Sequence, residues 1–248
     1  MSKLSITVPK DWSELEDQQL YYVYNLLAAN MSSEQIKTYC LFRFGKIKML
    51  CKYGDGFLVK HEKEEHLVDA EVITQAIQAL NYLDDVPQKP ARIAKIKGHK
   101  AHDVLLADMD FQSYLYIENL YQGFLITQQH NMLNEMGQML YNSENLILSQ
   151  AEKMNVFYWW TALKMHFSKQ FPNLFRMGAD EGSNLIGDGR SLSKKMHDSM
   201  NNQIRALTKG DITKENEVLS MPVWRALTEL DNLARESEEL NRKFKSKN

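Results

Sequence analysis

The chain has 248 residues, of which 44% are hydrophobic and 25% are charged, and its formal net charge is −2. These values are ordinary for a globular protein, and the near-neutral balance gives no overall field that favours nucleic acid or an anionic membrane. No stretch has the apolar length of a signal peptide or a membrane span. The two cysteines, Cys40 and Cys51, lack metal-ligand spacing and are interpreted as reduced thiols. We therefore expect a cytoplasmic protein without a cofactor.

Local patterns predict a mainly α fold with a helical bundle-like architecture and a small β-hairpin element near the N-terminal third. Residues 4–9 alternate apolar and polar side chains, as a short strand does. The triplet Gly54-Asp55-Gly56 sits between two β-like stretches and predicts a hairpin turn. Helical spacing returns in residues 69–83.

Two capping-box patterns predict where the first helices begin. Ser13 is followed by Glu16, and Ser32 is followed by Gln35, in each case just before apolar residues at helical spacing. Gly45 predicts the end of the second helix.

Composition changes predict a division into consecutive segments. Pro87 and Pro90 stand at the start of a basic stretch, and four glycines mark a later loop. The predicted segments are a helical region with a short strand and hairpin (1–86), a basic connector (87–103), an aromatic-rich helical core (104–177), a Gly-rich loop (178–190) and a C-terminal helical region (191–248).

Two helices are apolar around most of their circumference, which is typical of helices that are central in a core or covered by another chain. They lie in residues 111–125 and 154–167. In the second, Trp159 and Trp160 are neighbours and point about 100° apart, so we expect one of them to contact a second layer or another subunit. This pattern favours assembly with a partner protein or with further copies of the chain.

The C-terminal stretch predicts an amphipathic helix that starts near Pro222. Its apolar side includes Trp224, Leu227 and Leu230, and such a helix packs on its own domain or in the groove of a partner. The predicted partner-binding residues are therefore Trp159, Trp160, Trp224, Leu227 and Leu230.

The hexapeptide His61-Glu62-Lys63-Glu64-Glu65-His66 resembles the zinc-binding HExxH pattern but has the wrong spacing. Histidines five residues apart lie roughly 140° apart on a helix and on opposite faces of a single strand, so they do not form one ligand pair. His99 and His102 have helical ligand spacing, but Gly98 argues against a helix there. We predict no metal site.

No nucleophile motif, phosphate-binding loop or EF-hand pattern is found in the sequence. The favoured prediction is that the chain is not an enzyme, and an enzyme whose site has no recognisable motif is one alternative. The other alternative is a nucleic-acid-associated protein that uses the basic segment 89–102, with Lys95, Lys97 and Lys100 on phosphates. A solvated connector explains the same charges.

Three stretches carry a resemblance to a protein family. They are "RIAKIKGHKAHDVLLADMDFQSYLYIENLYQGFL" (92–125), "NNQIRALTKGDITKENEVLSMPVWRALTELDNLARE" (201–236) and the opening "WSELEDQQL" (12–20). Together they resemble uncharacterised proteins from the structural modules of bacteriophages and prophages, of the tail-assembly-chaperone type. The resemblance implies a non-enzymatic assembly protein that binds a tail-tube or tape-measure protein in the bacterial host cytoplasm or on the virion. It assigns no individual functional residue.

Overall fold

With only eleven glycines and five prolines in the chain, helices can run for long stretches without interruption, and they dominate the structure. The computed structural model describes residues 6–176 and 192–245, so the predicted Gly-rich loop 178–190 lies outside the described residues. The helices are α1 (Asp17–Ala28), α2 (Ser33–Phe44), α3 (Ala70–Gln78), α4 (Phe111–Thr127), α5 (His130–Leu140), α6 (Gln150–Gln170), α7 (Leu192–Thr208), α8 (Glu215–Leu219) and α9 (Val223–Lys245). The strands are β1 (Ile47–Tyr53), β2 (Gly56–His61), β3 (Glu64–Asp69), β4 (Lys95–Ile96) and β5 (His99–Lys100). The predicted mainly α class with a small β element is confirmed.

One of the two predicted capping boxes is confirmed and the other is displaced. Ser32 and Gln35 cap each other at the start of α2, and Gly45 caps its end. The first helix begins later than predicted, since Ser13 lies in a short 3-10 turn, Trp12–Glu14. The working box there is formed by Glu16 and Gln19. A glutamate followed three residues later by a glutamine can therefore form a capping box at the N-terminus of a helix, as serine and glutamate do.

The predicted strand at residues 4–9 is wrong for the part that the structure describes. Residues 6–9 form neither helix nor strand. The three-stranded sheet has the order β1-β2-β3 and leaves residues 6–9 unpaired. Alternation of apolar and polar residues makes a strand only where a neighbour supplies the hydrogen bonds.

The hairpin prediction is confirmed, and the sheet has a third strand that the sequence did not reveal. Gly54 adopts a left-handed backbone (φ 57°) in the turn between β1 and β2. Strand β3 pairs antiparallel with β2, and the turn between them falls within the His61–His66 hexapeptide. His61 pairs with Glu64, so His66 lies two positions further on the same face, and the two rings are 6.5 Å apart.

A hairpin therefore brings the two histidines together, although neither a single helix nor a single strand with this spacing does. A third ligand is a separate requirement. Within residues 6–176 and 192–245, no group of three or more His, Cys, Asp or Glu side chains is arranged to hold a metal ion.

The chain forms two compact units, each built from stretches that are separate in sequence. Unit 1 contains residues 1–98 and 148–162, and unit 2 contains residues 99–147 and 163–248. The sequence predicts consecutive segments instead, because composition does not show that the first part of α6 packs with residues far upstream. In the described part of the chain, none of the helices combines the length and the apolar character needed to cross a membrane.

Unit 1 has an aromatic core at the first part of α6. Trp12 stacks on Tyr24 with ring centroids 5.9 Å apart, and Tyr158 of α6 lies 5.8 Å from Trp12. Trp159 and Trp160 are both 0% exposed. Both indoles are covered within this chain, which agrees with the expected contact with a second layer and not with the predicted role of Trp159 and Trp160 as partner-binding residues.

The cover for α6 includes the segment that the sequence interprets as a solvated basic connector. Asn155 is fully buried, and its Oδ1 accepts the backbone N–H of Ile93 at 2.8 Å. The Arg92 guanidinium lies over the Trp159 ring, 5.4 Å from its centroid. Lys97 Nζ is 3.7 Å from the buried carboxylate of Glu152. Residues 91–97 thus pack on α6, with the apolar side chains between the cations facing inward.

Replacing Asn155 by Leu should lower the free energy of unfolding by about 1–3 kcal/mol, because the buried Ile93 N–H loses its acceptor. Urea unfolding followed by tryptophan fluorescence measures this change. Asn25→Leu on the exposed side of α1 is the matched control, with an expected change within about 0.5 kcal/mol. Equal unfolding midpoints for the two variants would show that the Asn155 hydrogen bond does not hold the segment.

The two thiols should differ sharply in reactivity. Cys40 is 0% exposed, and burial raises the pKa of its thiol to about 12, whereas Cys51 is exposed on β1. Because the thiolate is the reactive form, Ellman's reagent at about pH 8 should titrate Cys51 alone in the native protein and both thiols in denaturant. Rapid reaction of both thiols without denaturant would contradict the burial of Cys40.

Candidate functional site

The helices of unit 2 are joined at the points where α4 and α9 begin. Asp110 caps α4 by accepting the Ser113 N–H at 2.7 Å. The Phe111 N–H donates to the Met221 carbonyl at 2.8 Å, and the Val223 N–H donates to the Met109 carbonyl at 3.0 Å. These bonds fix the start of α9 beside the start of α4.

An open cavity of about 530 Å³ lies in unit 2 and is bordered by α4, α7, α9, the end of α6 and the residues after α6. Its apolar wall is formed by leucines, alanines and aromatic rings, and polar side chains of α7 and α9 lie at its border. The lining residues are Tyr114, Leu115, Glu118, Lys164, Leu174, Phe175, Ser199, Asn202, Gln203, Ala206, Leu227, Leu230, Leu233, Ala234 and Ser237.

One ion pair lies in the wall of this cavity. Lys164 of α6 contacts the Glu118 carboxylate of α4, and both side chains are mostly shielded from solvent. Gln122 donates a further hydrogen bond of 2.7 Å to Glu118, and the Lys164 ammonium lies 5.7 Å from the centroid of the Tyr121 ring. The pair is therefore held from several sides, as a partly buried pair must be to offset desolvation.

Tyr114 supplies a further polar group to the lining. Burial raises the pKa of its phenol well above the usual value, and Glu118 adds to the shift, so the group stays neutral. The described polar lining thus consists of a compensated ion pair, a neutral phenol, two amides and two hydroxyls. These groups can orient a ligand by hydrogen bonding, while the leucine wall supplies the apolar contact.

Two of the predicted partner-binding residues line this cavity, but they are buried. Leu227 is 1% exposed and Leu230 is 4% exposed. They do not form an exposed stripe, because α9 turns this side towards α4 and α7. They contribute to the wall of the site and to the core at once.

Trp224 packs against other residues of unit 2. Its indole N–H donates to the Leu105 carbonyl at 2.7 Å. Its ring lies edge-on to Phe167 at 5.3 Å and to Phe171 at 5.6 Å. A tryptophan held by this hydrogen bond and these rings is a packing residue, so the prediction of a surface anchor is not supported by its position.

The three lysines predicted for nucleic acid are in unlike surroundings. Lys97 is paired with Glu152, whereas Lys95 and Lys100 are exposed. The pairing removes one of the three charges from the proposed phosphate strip.

Sequence reasoning missed Glu118 and Lys164, although a signal for them exists. Glu118 is the only charged residue in the apolar sequence of α4, and Lys164 is the only Lys, Arg, Asp or Glu in residues 154–167. An acid and a base that each stand within a long apolar stretch of a helix are candidates for a buried pair. The polar residues of α7 gave no such signal, because they are exposed helix residues like many others.

Leu227→Ala should lower the free energy of unfolding by about 2–5 kcal/mol, since it removes buried methyl groups beside an existing cavity. The matched control is Leu240→Ala on the same helix, where the leucine is 55% exposed and the expected change is within about 0.5 kcal/mol. Urea unfolding midpoints compare the two. Similar midpoints would mean that the α9 stripe is a surface stripe, as the sequence first suggested.

Comparisons with protein-family models, with curated proteins and with solved structures found no match. The residues that line the cavity therefore indicate which kind of ligand it binds. A cavity with a leucine wall and a few hydrogen-bonding groups suits a ligand that is mostly apolar and carries a small number of polar atoms.

Proposed function

We propose that this chain is a non-enzymatic protein-interaction protein, and that the cavity of unit 2 receives the apolar face of a helical segment from a partner protein. The observation that supports this most is the cavity itself, with its wall of Leu115, Leu174, Leu227, Leu230 and Leu233. Amphipathic helices bind in such sites by inserting apolar side chains at positions i, i+3, i+4 and i+7.

The polar border of the cavity fits the same kind of ligand. Ser199, Asn202 and Gln203 follow one another along α7, and Ser237 lies on α9. Their amides and hydroxyls can bond to the polar side chains of a bound helix, whose backbone groups are already paired. A volume of about 530 Å³ holds a few large apolar side chains and not a whole helix, so the partner helix would lie across the opening and insert one face.

We propose a role in phage or prophage tail morphogenesis, with a tail-tube or tape-measure protein as the partner and the bacterial cytoplasm as the location. The resemblance of residues 12–20, 92–125 and 201–236 to phage structural-module proteins supports this assignment. We also propose that the helices of unit 2 act as a bundle-like scaffold for the cavity, supported by the packing of α4 with α5 and of α9 with α7.

The phosphate strip of Lys95, Lys97 and Lys100 is not favoured by any contact in the structure. The pairing of Lys97 with Glu152 weakens it, because a paired cation releases fewer counterions on binding a phosphate.

Filling the cavity should abolish partner binding without unfolding the chain. Ser237 is exposed and lines the cavity, so the indole of Ser237→Trp can enter it. We expect the variant to lose the fluorescence of bound anilinonaphthalene sulfonate, a probe of apolar cavities. We also expect it to lose co-purification with a co-expressed tail-tube or tape-measure protein, while circular dichroism stays unchanged.

Asn241→Trp is the matched control, since Asn241 is exposed on the same helix one turn beyond the cavity. It adds the same indole and should keep both dye binding and co-purification. If wild-type protein retains neither tail protein, the tail-assembly role is wrong. If both tryptophan variants retain a tail protein equally well, that role stands and the cavity is not its binding site.

A further inference from the structure

A second concentration of positive charge lies in unit 1 and belongs to no site described above. Residues 39–60 carry five cations, Arg43, Lys46, Lys48, Lys52 and Lys60, and one acid, Asp55, in a chain whose net charge is −2. The near-zero net charge of the chain therefore does not reflect the positive charge of residues 39–60.

Three of these cations border an open depression of about 560 Å³ between α1, α2 and the start of β1. They are Arg43, Lys46 and Lys48, and the aromatic lining is Tyr22, Tyr39 and Phe42. We call this feature the basic aromatic depression. Arg43, Lys46 and Lys48 are all exposed, and within the described residues none of the three is paired with a carboxylate.

The sheet adds a second sign that these charges are held together without compensation. Lys48 and Lys60 are directly opposite each other on β1 and β2, an arrangement that is destabilising for like charges. Lys60 also faces Glu65 on β3, whereas Lys48 is on β1, which is an edge strand of the sheet that the described residues form. An anion bound at the edge would relieve this repulsion.

The backbone conformation at Lys46 is unfavourable for a lysine. Lys46 has a left-handed conformation (φ 52°), which costs less conformational free energy for glycine or asparagine than for lysine. The preceding Gly45 is required for another reason, since a Cβ there would lie 2.9 Å from the Leu41 carbonyl oxygen. The chain thus places a cation at a position where stability alone favours a smaller residue.

The rings give the depression a second binding property. Tyr39 is 47% exposed, and the Arg43 guanidinium lies over the Tyr22 ring, 5.6 Å from its centroid. Exposed aromatic faces beside unpaired cations are the combination that binds single-stranded nucleic acid, because bases stack on rings while cations contact phosphates. An acidic peptide would use the cations but leave the rings without a matching partner.

We propose that the basic aromatic depression binds single-stranded nucleic acid, with a base stacked on Tyr39 and the phosphates of neighbouring nucleotides on Arg43, Lys46 and Lys48. This function is independent of the cavity in unit 2. It also differs from a phosphate strip on Lys95, Lys97 and Lys100.

Fluorescence anisotropy of the full chain with labelled oligothymidylate of about twelve nucleotides tests the proposal, starting at about 20 mM salt. Three phosphate contacts predict a slope of about −2 for the logarithm of the binding constant against the logarithm of salt concentration. Lys46→Gly should weaken binding, reduce the steepness of this slope by about 0.7 and leave the unfolding midpoint unchanged or higher, since glycine suits the left-handed backbone.

Lys209→Gly is the matched control. Lys209 is an exposed lysine in unit 2 with the same left-handed backbone (φ 54°), so the substitution removes the same charge in the same conformation elsewhere. It should bind like wild type. Tyr39→Ala should weaken binding by about 5- to 150-fold, the range for one stacked base, whereas Tyr39→Phe keeps the ring and should retain binding.

Competition with unlabelled ligands shows which class of ligand occupies the basic aromatic depression. Unlabelled single strands should displace the probe, while a duplex of equal length and a polyglutamate peptide of equal charge should displace it poorly. The proposal is overturned by absence of binding at low salt, by equal binding of Lys46→Gly and Lys209→Gly, or by a Tyr39→Ala variant that binds like wild type. Equal competition by polyglutamate would identify an acidic-peptide site. Equal competition by the duplex would identify a general phosphate-binding surface. Either result overturns the proposal.

Discussion

The packing of residues 91–97 on the first part of α6 is the constraint on which unit 1 depends. Trp159 and Trp160 are neighbours on one helix, so their indoles point about 100° apart and need cover on two sides. Residues 91–97 provide part of this cover, because the Asn155 carboxamide holds the Ile93 N–H and the Arg92 guanidinium lies over Trp159. Without this segment, the Trp159 indole would lose the Arg92 guanidinium and the buried Asn155 Oδ1 would lose the Ile93 N–H.

The same contacts explain why a basic segment is ordered. Ile93 and Ile96 are buried between side chains that carry charge, so the segment has an apolar side as well as a cationic one. Glu152 is buried on α6 and faces Lys97, which offsets part of the desolvation of the carboxylate. The charges that suggest a solvated connector are therefore partly used within the fold.

Local signals in the sequence predict local structure well here. The Ser32–Gln35 box, the stop at Gly45 and the Gly54-Asp55 turn each depend on residues that are close in sequence, and the structure has all three. Apart from the Ser13 box, which is displaced by one turn, the errors concern contacts between distant residues. Strand β3 has charged residues at its start and is defined by its pairing with β2, and the histidine rings of the β2–β3 hairpin meet only because that pairing exists.

The candidate site shows the same limit. Its leucines could be predicted as an apolar stripe of α9, but their direction could not, because the stripe alone does not say whether α4 or a partner covers it. Glu118 and Lys164 are 46 positions apart, and each is a single charge within a long apolar stretch of its helix. Only the fold shows that they neutralise each other in the wall of the cavity.

The two units carry surfaces of opposite chemistry. The cavity of unit 2 is apolar with a compensated ion pair, whereas the basic aromatic depression of unit 1 holds Arg43, Lys46 and Lys48 without carboxylate partners among the described residues. A net charge of −2 averages over both and excludes neither. Electrostatic attraction to a polyanion depends on charges within a Debye length, about 8–10 Å in physiological salt, so the local arrangement decides it. Cations that face each other across the sheet are therefore better indicators of a bound anion than the overall charge of the chain.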